Sequence, residues 1–87
     1  MIEILDDVIA LEEATKICLT RLADDPVLKK SEFETSNIIV VDFEYHLSTS
    51  RKCVVLESCG PLSFYIAEIL RELLAEENID AWVVFRT

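Results

Sequence analysis

Apolar residues recur at helical spacing in two stretches of the chain, one near each end. In the stretch that follows Pro61, apolar positions lie three and four residues apart and charged residues occupy the opposite side. The apolar stripe consists of Leu62, Ile66, Ile69, Leu70 and Leu73. Asn78 ends the stretch, because asparagine adopts the left-handed cap conformation at modest cost. This spacing predicts a surface helix that lies on a sheet.

The other helical stretch begins at Asp6 or Asp7, either of which can cap a helix N-terminus. Its inner positions are Val8, Leu11, Ala14, Cys18 and Leu22. Pro26 limits the helix, because proline disfavours helical geometry in the residue before it. Residues 1–5 alternate in a way that allows a short strand before the helix. Residues 27–35 are expected to form a polar connection, anchored on the core by Val27, Leu28 and Phe33.

Alternation of period two predicts three strands. The longest covers residues 37–47, and its expected apolar face consists of Ile39, Val41, Phe43, Tyr45 and Leu47. The second, residues 52–57, follows a turn-forming Ser-Thr-Ser-Arg run and is expected to pair with the first in an antiparallel hairpin. The third, residues 79–86, follows the second helix. The second and third strands are therefore expected to form a strand-helix-strand crossover.

The element order helix-strand-strand-helix-strand predicts a single small α+β domain over residues 1–87. Its two helices would pack on a small three-stranded sheet that is mixed and mainly antiparallel. We place the strand of residues 37–47 in the centre of this sheet, because it is the longest and most apolar. The order with residues 52–57 in the centre remains open.

The balance of 17 acidic and 8 basic residues gives a formal net charge of −9. This charge repels phosphate backbones and anionic lipids, so nucleic acid and membrane are not expected as direct partners. No apolar run approaches the roughly 20 residues of a membrane helix, and no basic region precedes an apolar one at the N-terminus. A cytoplasmic location is expected. The chain has no Gln and only two Asn, as is typical of heat-adapted proteins, so a thermophilic source is one interpretation.

Three cysteines, Cys18, Cys53 and Cys59, cannot all pair within one chain, and their spacings match no common zinc pattern. Reduced thiols are expected. Cys53 and Cys59 are six residues apart along an extended segment, too far for a disulfide without rearrangement.

Cys59 lies between a strand and a helix start, where free backbone N–H groups stabilise a thiolate. The string Glu57-Ser58-Cys59-Gly60-Pro61-Leu62 resembles the redox-active turn of thioredoxins, with Leu62 where that family has its second cysteine. The same stretch through Arg86-Thr87 is also similar to the carboxyl-terminal domain of transketolase-like enzymes. The thioredoxin resemblance implies a single-thiol redox or nucleophilic role for Cys59. A small half-buried cysteine that closes the turn is the favoured interpretation.

Asp42, Glu44 and His46 alternate along the longest strand, so all three project from one face and each can bind a metal. Neighbouring members of this set are about 6.6 Å apart along the strand, which allows two to share an ion but strains three. A solvated strand face is the favoured interpretation. The single glycine excludes a Gly-rich nucleotide loop, and no cofactor is predicted.

Trp82 faces away from the inner residues of its strand, beside Val84. Together with Ile38 and Val40 on the same sheet face, these residues would form an apolar interface patch. The alternative, in which the first helix covers this face, remains open. With no catalytic constellation, the sequence favours a non-enzymatic, acidic interaction or regulatory module that acts as a homodimer. The alternative is an enzyme or redox sensor that uses Cys59.

Overall fold

The two long helices and the three strands follow one another in the predicted order, and one additional short helix lies between the first helix and the first strand. The computed structural model describes residues 2–46 and 48–86, with side chains from residue 8 onward. The elements are α1 (Ile2–Leu22), α2 (Pro26–Lys30), β1 (Val40–His46), β2 (Arg51–Glu57), α3 (Ser63–Glu76) and β3 (Ala81–Arg86). Short 3₁₀ turns at Thr35–Asn37 and Gly60–Leu62 precede β1 and α3. The predicted α+β class, with a three-stranded mixed sheet and a strand-helix-strand order, is confirmed.

The central strand of the sheet is β2, which pairs antiparallel with β1 and parallel with β3. The prediction that placed residues 37–47 in the centre is therefore wrong. That prediction took the longest and most apolar strand to be the most buried one. In the structure β1 is largely accessible, whereas residues 53–56 of β2 are buried on both faces. After β2 the chain crosses over through α3 and returns as β3, directly beside β2. The hairpin places β1 on the other side of β2.

Both long helices pack on the same face of the sheet. Their buried side chains share one core with the inward residues of the strands: Leu11, Ala14, Cys18 and Leu22 of α1, Ile66, Leu70 and Leu74 of α3, and Val54, Leu56 and Ala81 of the sheet. Among the described residues no helix covers the opposite face. The alternative in which the first helix lies on that face is therefore wrong.

A β-bulge in β1 changes which residues face the core. The pairing shifts between Val40 and Asp42, so that Val41 is an extra residue in the strand. As a result Ile38 is buried and Val40 packs against the core, while Ile39 and Val41 are exposed. The predicted apolar face is thus wrong before the bulge and holds after it at Phe43, which packs against the core.

The structure differs from the prediction at the start of α1 and in the connection that follows Pro26. Residues 2–5 are helical, so the short strand allowed by their alternation is wrong. The connection after Pro26 contains α2, and of its predicted anchors Leu28 is buried and Phe33 packs on the core, while Val27 is exposed. Asn78 takes a left-handed conformation, φ 62°, as predicted for the end of α3. Although α1 has 21 residues, no described helix is apolar enough over a sufficient length to cross a bilayer.

Candidate functional site: the open sheet face

One face of the sheet is not covered by a helix in the described part of the chain, and we call it the open face. Alternation along each strand assigns its residues, which are Asp42, Glu44 and His46 of β1, Arg51, Cys53, Val55 and Glu57 of β2, and Trp82, Val84 and Arg86 of β3. The register sets Cys53 between Glu44 and Trp82, and it sets Val55 between Asp42 and Val84. The open face therefore has an apolar centre with polar margins.

Trp82 and Val84 are the accessible part of this apolar centre. Trp82 is 38% exposed and Val84 is 41% exposed, whereas Cys53 is only 8% exposed between its cross-strand neighbours. These two β3 residues lie side by side, as the alternation predicted. Ile38 and Val40, which were predicted to join them, face the core instead because of the bulge. Large accessible apolar side chains grouped on one face are typical of interaction surfaces.

Two arginines hold the Trp82 ring. The guanidinium carbon of Arg71 lies 4.1 Å from the ring centroid, and that of Arg51 lies 4.8 Å from it, both within the range of a cation–π interaction. Since α3 lies on the opposite face of the sheet, Arg71 must reach the ring around the free edge of β3. These contacts fix the orientation of Trp82 and place positive charge beside the apolar centre.

The charges of the open face balance, in contrast to those of the whole chain. Its acidic residues are Asp42, Glu44 and Glu57, and its basic residues are Arg51, Arg86 and, from α3, Arg71. The formal net charge of −9 is therefore carried entirely by the rest of the molecule. Two of the acids are on β1, whereas the arginines lie on β2, on β3 and at the edge of β3.

A cavity of about 330 Å³ opens on this face at the hairpin end of the sheet. Its lining consists of His46, Ser48, Thr49, Arg51, Cys53, Trp82 and Val84. Hydroxyl, imidazole and guanidinium groups form one part of the wall, and the indole and an aliphatic side chain form the other. A polar ligand with one apolar side, or a side chain of a second molecule, fits this combination.

Three side chains with metal-binding atoms meet beside the cavity. Carboxylate, imidazole and thiol atoms of Glu44, His46 and Cys53 all lie within 4.8 Å of one another. His46 Nε2 and Glu44 Oε1 lie 3.6 Å apart. Asp42, the third residue of the predicted set, accepts a hydrogen bond of 2.8 Å from the N–H of Phe43. Sequence reasoning therefore found two members of this cluster and missed Cys53.

The thiol of Cys53 is kept in its neutral form in this setting. Burial raises the pKa of Cys53, the nearby Glu44 carboxylate raises it further, and Arg51 opposes both. The place of Cys53 follows once the hairpin register is known, because a hairpin that pairs residue 46 with residue 51 also pairs residue 44 with residue 53. Register, however, was not derivable from composition or spacing alone.

Cys59 lies away from the open-face cluster, in the turn between β2 and α3. Its backbone N–H donates a hydrogen bond of 2.9 Å to Ser63 Oγ, and its thiol donates one of 3.5 Å to the carbonyl of Glu57. The Gly60–Leu62 turn separates it from the first residue of α3. Burial, followed by the Glu57 charge, raises the pKa of Cys59. Any stabilisation of a Cys59 thiolate by the helix dipole is smaller than these two effects, so the neutral thiol is favoured.

Alkylation of Cys59 by iodoacetamide is expected to show a pH midpoint above that of an unperturbed thiol, which is about 8.5. Its raised pKa leaves little thiolate at neutral pH. Peptide mass spectrometry after timed alkylation would measure each cysteine separately. The same chain in denaturant serves as the control, because its thiols titrate without the folded surroundings. A folded-state midpoint below the denatured-state value would contradict the expectation.

No family model matches this sequence, and searches of the curated proteins and of the solved structures give no significant match. The residues and geometry of the open face are therefore the basis for assigning a function.

Proposed function

We propose that this protein is a non-enzymatic interaction module, and that its partner is a second copy of the same chain, bound through the open face. The observation that supports the proposal is the exposure of Trp82 and Val84 together on the uncovered face of the sheet. Tryptophan is enriched at the centres of interfaces, where its large ring is removed from water. Arg51 and Arg71 hold that ring in place, which lowers the cost of ordering it on binding.

Charge favours self-association through this face over any other. Two copies with a net charge of −9 repel one another over most of their surfaces. The open face has equal numbers of acidic and basic groups, so contact there avoids that repulsion. A strongly basic partner would instead be drawn to the remaining, acidic surface of the molecule.

The arrangement of these charges also suits a two-fold axis that runs parallel to the strands. Such an axis lays β1 of one copy over β3 of the other. Asp42 and Glu44 of each copy then face the edge that carries Arg71 and Arg86. Both halves of the contact gain opposite-charge pairs, as a self-complementary two-fold interface requires.

The size of the face indicates a weak dimer. Three strands about 4.8 Å apart and about six residues long give a footprint of roughly 300 Å². Stable complexes commonly bury about 800 Å² on each partner, so this contact is well below the size of a stable interface. The dimer is therefore expected to dissociate in the micromolar range or above, which suits a reversible regulatory contact.

Light scattering or sedimentation from roughly 1 to 500 μM protein is expected to show a reversible monomer–dimer equilibrium. Trp82→Ala and Val84→Asp should each weaken the dimer by about tenfold or more, because each removes part of the apolar centre. Ile17→Ala is the matched control: Ile17 is 53% exposed but lies on α1, which packs on the other face of the sheet, so its loss should leave the dimer unchanged.

A monomer of 9.9 kDa at every concentration would overturn the proposal. So would a wild-type association constant in Trp82→Ala together with a loss of the dimer in Ile17→Ala. The rival single-thiol function of Cys59 has no supporting geometric observation, since burial and Glu57 both favour its unreactive form.

A further inference from the structure

The open face contains three different metal-binding groups on two adjacent strands. Glu44 and His46 are two residues apart on β1, so they project from the same face, and Cys53 is the register partner of Glu44 on β2. Their ligand atoms all lie within 4.8 Å of one another. This closeness depends on the antiparallel register and is not a property of either strand alone.

The separation of the three atoms is near what a zinc ion needs. Zinc bonds of about 2.0–2.3 Å in a tetrahedron place neighbouring ligand atoms about 3.5 Å apart. The cluster must therefore close by about 1 Å, which side-chain rotation can supply. His46 is exposed and Glu44 is only partly buried, so both can adjust, while the less accessible Cys53 provides a fixed point.

The chemical types also favour zinc over harder cations. Thiolate and imidazole are preferred by zinc, whereas magnesium and calcium prefer sets made only of oxygen. A Cys53 thiolate and a Glu44 carboxylate together supply two negative charges, which neutralise a divalent ion beside the partly apolar wall of Trp82 and Val84. Arg51 and Arg71 are positive groups beside this site, and both guanidinium groups are engaged on the Trp82 ring.

We propose that Glu44, His46 and Cys53 of a single chain bind one Zn²⁺ ion on the open face. On binding, the Cys53 thiol releases its proton to solvent as the Zn–S bond forms. The fourth position faces the cavity that His46 and Cys53 also line, where a water molecule can complete the tetrahedron. All three ligands come from one chain, so the site does not depend on the proposed dimer.

Titration of the reduced, metal-free protein with Co²⁺ tests the site, because cobalt takes the same ligands and reports them optically. The expected result is a near-ultraviolet thiolate-to-cobalt charge-transfer band that saturates at one ion per chain and disappears when Zn²⁺ is added. Cys53→Ser should abolish the band. His46→Gln and Glu44→Gln should each weaken cobalt binding by about tenfold or more.

Cys59→Ser is the matched control, since Cys59 is a partly accessible thiol outside the cluster, and the variant should bind Co²⁺ as the wild type does. Far-ultraviolet circular dichroism shows whether the buried Cys53→Ser variant remains folded. If it does not, the exposed His46→Gln variant decides the question. The absence of the band in the wild type, its persistence in folded Cys53→Ser, or wild-type affinity in His46→Gln would each overturn the zinc site. Light scattering without metal tests the dimer separately.

Discussion

Replacement of Leu70 by alanine is expected to lower the free energy of unfolding by about 2–5 kcal/mol, the range found for large-to-small changes at buried positions. Leu70 has no exposed surface and belongs to the core shared by α1, α3 and the sheet. The loss combines the apolar area removed with the cavity left behind. A chain of 87 residues has a thin core, so this is a large share of a total stability of about 5–15 kcal/mol.

Denaturant unfolding at one fixed protein concentration, followed by circular dichroism, measures this change. Phe64→Ala on the same helix is the control: it deletes a larger apolar side chain that is 91% exposed, and alanine is the better helix former. It should therefore cost little or even stabilise. Ile66→Val, at another fully buried position, should cost about 0.5–1.5 kcal/mol. Equal losses for Leu70→Ala and Phe64→Ala would show that the core lies elsewhere.

Asp25→Ala is expected to lower stability by about 1–2 kcal/mol, because the Asp25 carboxylate serves two structural roles at once. It caps α2 by accepting hydrogen bonds of 3.1 Å from the N–H groups of Val27 and Leu28. It also accepts a hydrogen bond from the hydroxyl of Tyr65, whose oxygen lies 2.8 and 3.0 Å from the two carboxylate oxygens and so links the start of α2 to α3. This bond is the main cause of the raised pKa of Tyr65.

Asp24→Ala is the matched control for Asp25→Ala. It removes the same charge one residue earlier, where the carboxylate is exposed and makes only a 3.7 Å contact with Lys29, so its effect should stay within about 0.5 kcal/mol. Tyr65→Phe should lose less than Asp25→Ala, because the cap remains. In a double-mutant cycle, Asp25→Ala and Tyr65→Phe should be non-additive. Additive effects would mean that the tie between the helices contributes nothing.

The helices and the element order were predictable because they depend on local patterns. The stripe from Ile66 to Leu70, the Asp-Asp-Pro stop after α1 and the left-handed Asn78 were each encoded within a few residues. The α2 helix was missed because its five residues are too few to show a helical period. Its cap, Asp25 followed by Pro26 at the first position, was nevertheless visible in the sequence.

The arrangement of the sheet was less predictable, because a bulge and a strand order are non-local. No residue near Val41 marks it as the extra residue of the bulge, yet this one extra residue directs the side chains of Ile38 and Val40 towards the core. The burial of β2 on both sides follows from the position of its neighbours and not from its own four apolar or thiol-bearing residues.

The sequence by itself determined the acidic charge, the α+β class and the placement of Trp82 and Val84 on one strand face, since these depend on composition and alternation. Only the tertiary structure decided that β2 is central, that both long helices share one face, and that Cys53 lies between Glu44 and Trp82. The physical reason is that side chains from different strands meet through hydrogen-bond register. A shift of one residue in that register would turn every one of them to the other face.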